Sequence, residues 1–196
     1  MKKFKNGVLY QGDCLEIMPT LAPQSIDMVL CDLPYGTTAC KWDSIIPFEP
    51  LWREYRRLIK PRGAIVLTAS QPFTSALVMS NVKGFRHEWV WDKVIPRGHL
   101  VAKKRPMQRS ESALVFSQQS PVYFPIMEKR EKPIKGKEGA RTTIMGGESN
   151  GFSATYTHKY PVNILVFKPD RGKLHPTQKP VALFEYLIKT YTQPGA

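Results

Sequence analysis

The sequence predicts an α/β domain built on a mainly parallel β-sheet. Residues 28–31 are a continuous apolar run of strand length, as expected for a strand covered on both faces, and 64–69 read as a second buried strand. Between them, Leu51, Tyr55, Leu58 and Ile59 repeat at helical spacing. Further strand and helix patterns alternate along the chain, which favours crossover connections and parallel pairing.

The elements come in order. Val8-Leu9-Tyr10 reads as a short strand running into Gly12-Asp13, and a brief helix is expected over 15–21. Ile26 opens the strand of 28–31, which Pro34 and Gly36 stop just after Asp32. The helix of 51–59 is broken by Lys60-Pro61-Arg62-Gly63, and the strand of 64–69 comes next. A helix over 72–79 and a strand over 88–91 succeed it, and the pattern breaks after Asp92-Lys93. Residues 94–160 are rich in Pro, Gly, Lys and Arg, with one clear strand at 113–116. The stretch 129–150 lacks apolar periodicity and reads as a loop. Residues 162–167 form a strand, and 180–191 an amphipathic helix with Val181, Phe184, Leu187, Ile188 and Tyr191 on one face.

The bulk properties narrow the class. A chain of 196 residues is long enough for one domain with its own core. No apolar run approaches the roughly 18 residues of a membrane span. The basic start Met1-Lys2-Lys3-Phe4-Lys5 has no apolar segment behind it, so no signal peptide is read and a cytoplasmic location is expected. Cys14, Cys31 and Cys40 are odd in number, lack C-x-x-C spacing and have no His cluster nearby. Reduced thiols are expected, and no metal site. The net charge of +13 points to a polyanionic partner, nucleic acid above all. Between Lys93 and Arg141 there are 12 Lys or Arg against 4 Glu, so the excess is concentrated in one central segment.

Asp32-Leu33-Pro34-Tyr35 carries the strongest chemical signal. It stands at the C-terminal end of a strand, where open α/β sheets bind ligands. A carboxylate and a turn carbonyl can accept the two hydrogens of an exocyclic amine, and an aromatic ring can stack on a planar base. The same four residues also suit a plain strand-to-loop turn with a capping Asp.

In its wider setting the motif resembles the D/N/S-P-P-Y signature of the DNA amino-methyltransferases, which methylate adenine N6 or cytosine N4. Gly12-Asp13-Cys14-Leu15-Glu16 resembles the family segment whose Asp lies near the adenine end of S-adenosylmethionine. Trp52-Arg53-Glu54 and the turn from Leu58 to Gly63 resemble the family helix and turn beyond the catalytic loop. Trp91-Asp92-Lys93 and Ser110-Glu111-Ser112 continue the series. His175-Pro176-Thr177-Gln178-Lys179-Pro180 is similar to the family's H-P-T-Q-K-P string before its cofactor helix. The catalytic motif comes first and the His175 string last, the order of the beta class.

The resemblance implies an incomplete Rossmann-like S-adenosylmethionine-dependent fold with an inserted basic recognition region. It divides the chain into a catalytic α/β part (1–93), a target-recognition region (94–160), and a strand with the cofactor-side helix (161–196). It implies that a base flipped out of double-stranded DNA is held by Asp32, Leu33, Pro34 and Tyr35. Asp32 and the Leu33 carbonyl would accept from the amine, and Tyr35 would stack. Leu33 departs from the commoner proline, yet its carbonyl remains available. Direct transfer needs no covalent intermediate, so Cys31 and Cys40 need not be nucleophiles.

Cofactor contacts are implied for Asp13, Cys14, Asp32, His175, Thr177, Gln178 and Lys179. Free N–H groups at the helix start near Pro180 would receive the methionine carboxylate. Asp13 could equally be a helix cap. In the central segment, from Lys103-Lys104-Arg105 to Arg141, Lys and Arg would contact phosphates. Phe124, Phe152 and Tyr156 are expected mostly to pack locally.

The family's Gly-rich cofactor loop normally comes after the H-P-T-Q-K-P helix. Here the sequence ends at Gln193-Pro194-Gly195-Ala196, and no G-x-G occurs in it. The expectation is a chain truncated before that loop, with an apolar edge on the strand of 26–31, weak cofactor binding and little turnover. A fragment of a longer chain, or completion by a partner, are the alternatives, and a homodimer could cover exposed edges. Adenine N6 is the expected target because Asp at position 32 is commoner in that group. Cytosine N4, a catalytically dead DNA-binding remnant and an RNA-binding module are the rivals.

Overall fold

The computed structural model describes residues 1–38, 40–136, 155–170 and 177–196. They divide into two compact units, Met1–Phe124 with Asn163–Ala196, and Pro125–Val162. The first opens with a hairpin of β1 (Lys2–Phe4) and β2 (Gly7–Leu9). Helix α1 (Cys14–Ile17) comes next, then a 3-10 turn over Met18–Thr20. The helix expected over 15–21 is thus shorter and tighter, with Pro19 at the start of the 3-10 turn.

Five strands form the central sheet: β3 (Ile26–Asp32), β4 (Ile59–Ala69), β5 (Phe85–Arg97), β6 (Gln108–Phe116) and β9 (Ile164–Val166). Their spatial order is β3-β4-β6-β5-β9. Four strands run the same way and only β6 is reversed, so the sheet is mainly parallel. Helices α2 (Phe48–Leu58) and α3 (Phe73–Ser80) link β3 to β4 and β4 to β5, and α4 (Val181–Tyr191) closes the chain.

Alternation along β4 builds two cores at once. Ile65, Leu67 and Ala69 face the core of α2 and α3, whereas Ala64 and Val66 face that of α4. On α2 Leu51, Tyr55 and Leu58 are buried, as the spacing predicts, and Trp52 is buried with them. Trp52 fills the space against Phe116 and donates through its indole N–H to Ser80 at 2.7 Å. Buried Glu54 is paired with Arg57 (2.8 Å), whose guanidinium also donates to the carbonyls of Met18 and Leu21. That one side chain ties the 3-10 turn to α2. Across the sheet, the Tyr191 hydroxyl accepts from the Trp89 indole at 2.6 Å, fixing the end of α4 to β5.

Three expectations need correction. The pattern does not break at Asp92-Lys93: β5 continues to Arg97, which pairs with Gln108 of an early-starting β6. Residues 94–124 therefore belong to the sheet unit rather than to a region of 94–160. Secondly, β3 packs both faces, Ile26, Val29 and Cys31 against one core and Met28 and Leu30 against the other, yet it is not fully buried as the apolar run suggests. It pairs only with β4 and is half-buried from Ile26 to Cys31, so the anticipated apolar edge is present among the described residues. Thirdly, α4 buries Leu183, Leu187, Thr190 and Tyr191, whereas Val181 and Ile188 are exposed. The helix lies over β3 and β4, and its outer flank has no described neighbour beyond the β3 edge.

The second unit is a hairpin of β7 (Glu128–Lys135) and β8 (Thr155–Lys159), antiparallel and largely exposed. On one of its strands Lys129, Arg130, Lys132 and Lys135 outnumber Glu128 and Glu131, a net charge of +2. Most of the loop expected over 129–150, and Phe152, lie outside the described residues. Tyr156 is exposed on β8, and Phe124 is half-buried in the first unit.

Gly63 tests the β3–β4 junction. A Cβ there would lie 2.7 Å from the Asp27 carbonyl oxygen, a backbone atom that cannot step aside. Gly63→Ala is predicted to cost about 1–3 kcal/mol through overpacking, read as a lower urea midpoint at unchanged m-value. An unchanged midpoint would contradict this packing.

Candidate active site

The parallel strands of the sheet deliver their C-terminal ends to one cleft of about 630 Å³. Asp32 ends β3 and stands opposite Thr68 of β4. Leu33 turns back into the core, and Pro34 and Tyr35 line the cleft. Thr177, Gln178 and Lys179 reach the same cleft from the segment before α4, and Trp91 and Lys93 reach it from β5.

The Asp32 carboxylate is held asymmetrically. Its Oδ1 accepts from the Thr68 hydroxyl at 2.5 Å and from the Tyr35 hydroxyl at 2.9 Å. Lys179 lies 3.0 Å from Oδ2. Oδ1 is thus held by two hydroxyls, while Oδ2 has, among the described residues, Lys179 alone, an ammonium that spans both oxygens. Burial, reinforced by the Asp32 charge, pushes the Tyr35 phenol far above its ordinary range, so it serves as a donor. The Tyr35 ring stacks on Phe73 at 5.3 Å, and the Lys179 ammonium sits over it, 5.3 Å from its centroid.

Charges come in compensating pairs. Lys179 is 2.9 Å from Asp32 Oδ1 and 3.4 Å from Glu111 Oε2, and Glu111 Oε1 accepts a short hydrogen bond from Lys93. Lys93 is buried against Trp91, and the adjoining Val94 has a φ of +64°, a costly conformation for a β-branched residue. Asp92 supports that turn by accepting from the Val94 N–H and from Arg109.

The loop after the motif is clamped by Asp43, which sequence reasoning missed. Its carboxylate accepts from the backbone N–H groups of Gly36 (2.9 Å), Thr37 (2.9 Å) and Thr38 (2.7 Å), and from the Thr38 hydroxyl (2.8 Å). Gly36 suits the curl with a φ of +66°, where a Cβ would meet Ile45 at 2.9 Å. Thr68, Lys93 and Glu111 were also missed as site residues. Polar residues at strand ends flanking the motif were the available signal.

The implied cofactor residues divide. Asp32, Thr177, Gln178 and Lys179 share the cleft, whereas Asp13 and Cys14 do not line it. Asp13 caps α1, accepting from the Leu15 N–H at 2.8 Å, the alternative reading of that residue. His175 lies outside the described residues. One of the N–H groups expected to be free at the start of α4 is taken: Val181 donates to Asp170 Oδ2 at 3.0 Å. A carboxylate already sits at that helix end, which disfavours a second anion there. Asp32, Thr177 and Gln178 are the polar cleft residues available to a bound methyl donor. Burial raises the Cys14 and Cys31 thiols, so neither is poised as a thiolate.

A DNA methylase family model, that of the N6/N4 methyltransferases, matches residues 26–196. The chain belongs to the N6/N4 DNA methylase family. Among solved structures it is similar to PvuII DNA methyltransferase (cytosine-N4-specific), with a TM-score of 0.64 and 16% identity over 97% of this chain and 72% of that one. It is also similar to M1.HpyAVI in its SAM complex, with a TM-score of 0.55 and 22% identity over 94% of this chain and 77% of that one. At such identities the likeness is one of fold, an α/β methyltransferase fold. No described helix is long and apolar enough to cross a membrane.

The Asp43 clamp carries a pH prediction. Four hydrogen bonds, that from Thr38 foremost, hold its carboxyl down to about 2. A depressed carboxyl contributes its stabilisation above the unfolded value of about 3.9, and loses it as pH falls through the folded value. The protection factors of the Thr37 and Thr38 amides, taken relative to intrinsic exchange at each pH, are therefore predicted to be high above pH ~4 and to fall toward pH ~2. Asp43→Asn should remove most of that protection at neutral pH. Equal protection in the variant would contradict the clamp.

Proposed function

We propose that this chain is a site-specific DNA methyltransferase that transfers a methyl group from S-adenosylmethionine to N6 of adenine in duplex DNA. The observation that carries the reading is the oriented carboxylate of Asp32, whose Oδ2 is engaged, among the described residues, only by the Lys179 ammonium. With Oδ1 held by Thr68 and Tyr35, Oδ2 points a defined lone pair into the cleft, suited to the N–H of an exocyclic amine. The Leu33 carbonyl accepts the second hydrogen, Pro34 stiffens the turn, and Tyr35 stacks on the extruded base. An amine so held directs its lone pair away from both acceptors, toward the methyl group. S-adenosylmethionine supplies an electrophilic methyl group when bound, and Thr177 and Gln178 are the described residues that would hold it near Asp32.

The basic residues of the hairpin, Lys129 to Lys135, contact phosphates and position the duplex. A second copy of the chain, or a completing polypeptide, covers the open β3 edge and the exposed Val181 and Ile188. The protein acts in the cytoplasm, where such DNA is found.

Cytosine N4 is the second reading, favoured by the fold likeness to the cytosine-N4-specific PvuII enzyme. Incubation of unmethylated genomic DNA with methyl-labelled S-adenosylmethionine, then nucleoside analysis, separates the two. N6-methyldeoxyadenosine is expected, and Asp32→Ala should reduce it at least about a hundredfold. N4-methyldeoxycytidine would transfer the assignment to the second reading. Duplex binding without any methylated nucleoside would identify a catalytically dead DNA-binding remnant.

A further inference from the structure

The two groups proposed to receive the base are both occupied by one ammonium. Lys179 Nζ lies 3.0 Å from Asp32 Oδ2, the oxygen that no other described group takes, and over the Tyr35 ring. A base amine and its ring need both positions. Lys179 must therefore leave before a base can settle, and a charge that is only about one-tenth exposed cannot leave without a destination.

A destination is present. Glu111 Oε2 is buried and accepts no hydrogen bond, although Lys179 Nζ is within ion-pair reach at 3.4 Å. That oxygen has a long ion pair but no hydrogen bond, so a closer approach of the ammonium would complete it. Glu111 itself is fixed, because its Oε1 is tied to buried Lys93. Two lysines and two carboxylates balance, so a small movement of Lys179 toward Glu111 exposes Asp32 while leaving the cleft's net charge unchanged.

We propose that Lys179 is a latch on the amine-accepting oxygen of Asp32 and is handed to Glu111 Oε2 when a base enters. Lys179 and Glu111 are then positioning residues. The latch keeps the carboxylate oriented and compensated when the cleft is empty, and Glu111 sets the cost of opening it. This rests on the base-binding reading of the cleft given above.

The test is an NMR titration of the intact chain and its variants with 9-methyladenine and 1-methylcytosine, which needs neither DNA nor methyl donor. If the latched state dominates, the apparent affinity is lowered by the unlatched fraction. Lys179→Met should then bind the preferred base more tightly than the wild type, by about fivefold or more. Glu111→Gln, which removes the receiving charge, should bind several-fold more weakly. The double variant should behave like Lys179→Met, because the receiver has no role once the latch is gone. A merely structural role for the cluster would make the double variant the weakest of the three.

Weaker binding by Lys179→Met, or equal binding by Glu111→Gln and wild type, would overturn the latch. Should Glu111→Gln fail to fold, the sign of the Lys179→Met effect decides alone. Base binding that depends on Asp32 yet ignores Lys179 and Glu111 would sink the latch and spare the functional reading. No saturable shift at the cleft in any variant would sink both.

Discussion

The parallel ladder between β3 and β4 sets Asp32 opposite Thr68, and the chemistry of the cleft depends on that register. A slip of one residue would turn Asp32 to the other face of the sheet and put Cys31 in its place. Two features hold the register. Gly63 lets β4 approach the Asp27 carbonyl, and Lys60 pairs with the Asp27 carboxylate at 2.7 Å. The Thr68 hydroxyl then fixes the rotation of the Asp32 carboxylate, so backbone pairing and side-chain aim come from the same two strands.

From that anchor the cleft is assembled by elements far apart in the chain. Asp43 curls the loop after the motif and keeps Tyr35 against Phe73. The reversed strand β6, inserted between β4 and β5, brings Glu111 beside Lys93. The segment before α4 adds Lys179, whose charge compensates both carboxylates. Burying most of Lys93, Lys179 and Glu111 costs less when each faces an opposite charge, which accounts for their arrangement as a cluster with Asp32 rather than as isolated groups. Open cleft, oriented acceptor and mobile counter-ion are then three aspects of one electrostatic arrangement.

Much of this was legible in the sequence, and the exceptions have physical causes. The apolar runs of β3 and β4 and the stripe of α2 report burial directly, and Asp32 to Tyr35 was recognisable because its residues act within one turn. Asp43 was not, because its role depends on how the loop curls back over five to seven residues. Glu111 and Lys93 meet only because β6 and β5 are neighbours, which no local pattern specifies. Pro96 and the nearby lysines hid the far end of β5. The outer flank of α4 escaped because an amphipathic pattern does not say which of its apolar residues the sheet is wide enough to cover.

The central claim is that Asp32 recognises an exocyclic amine rather than a base in general. Comparing 9-methyladenine with 9-methylpurine, and 1-methylcytosine with 1-methyluracil, isolates that amine. The affinity of the cleft for each pair should be measured in the wild type and in Asp32→Ala. At least one amino base is predicted to bind the wild type several-fold more tightly than its amine-free counterpart, and Asp32→Ala to abolish the difference. Equal binding within both pairs, or a preference that survives Asp32→Ala, would contradict the claim.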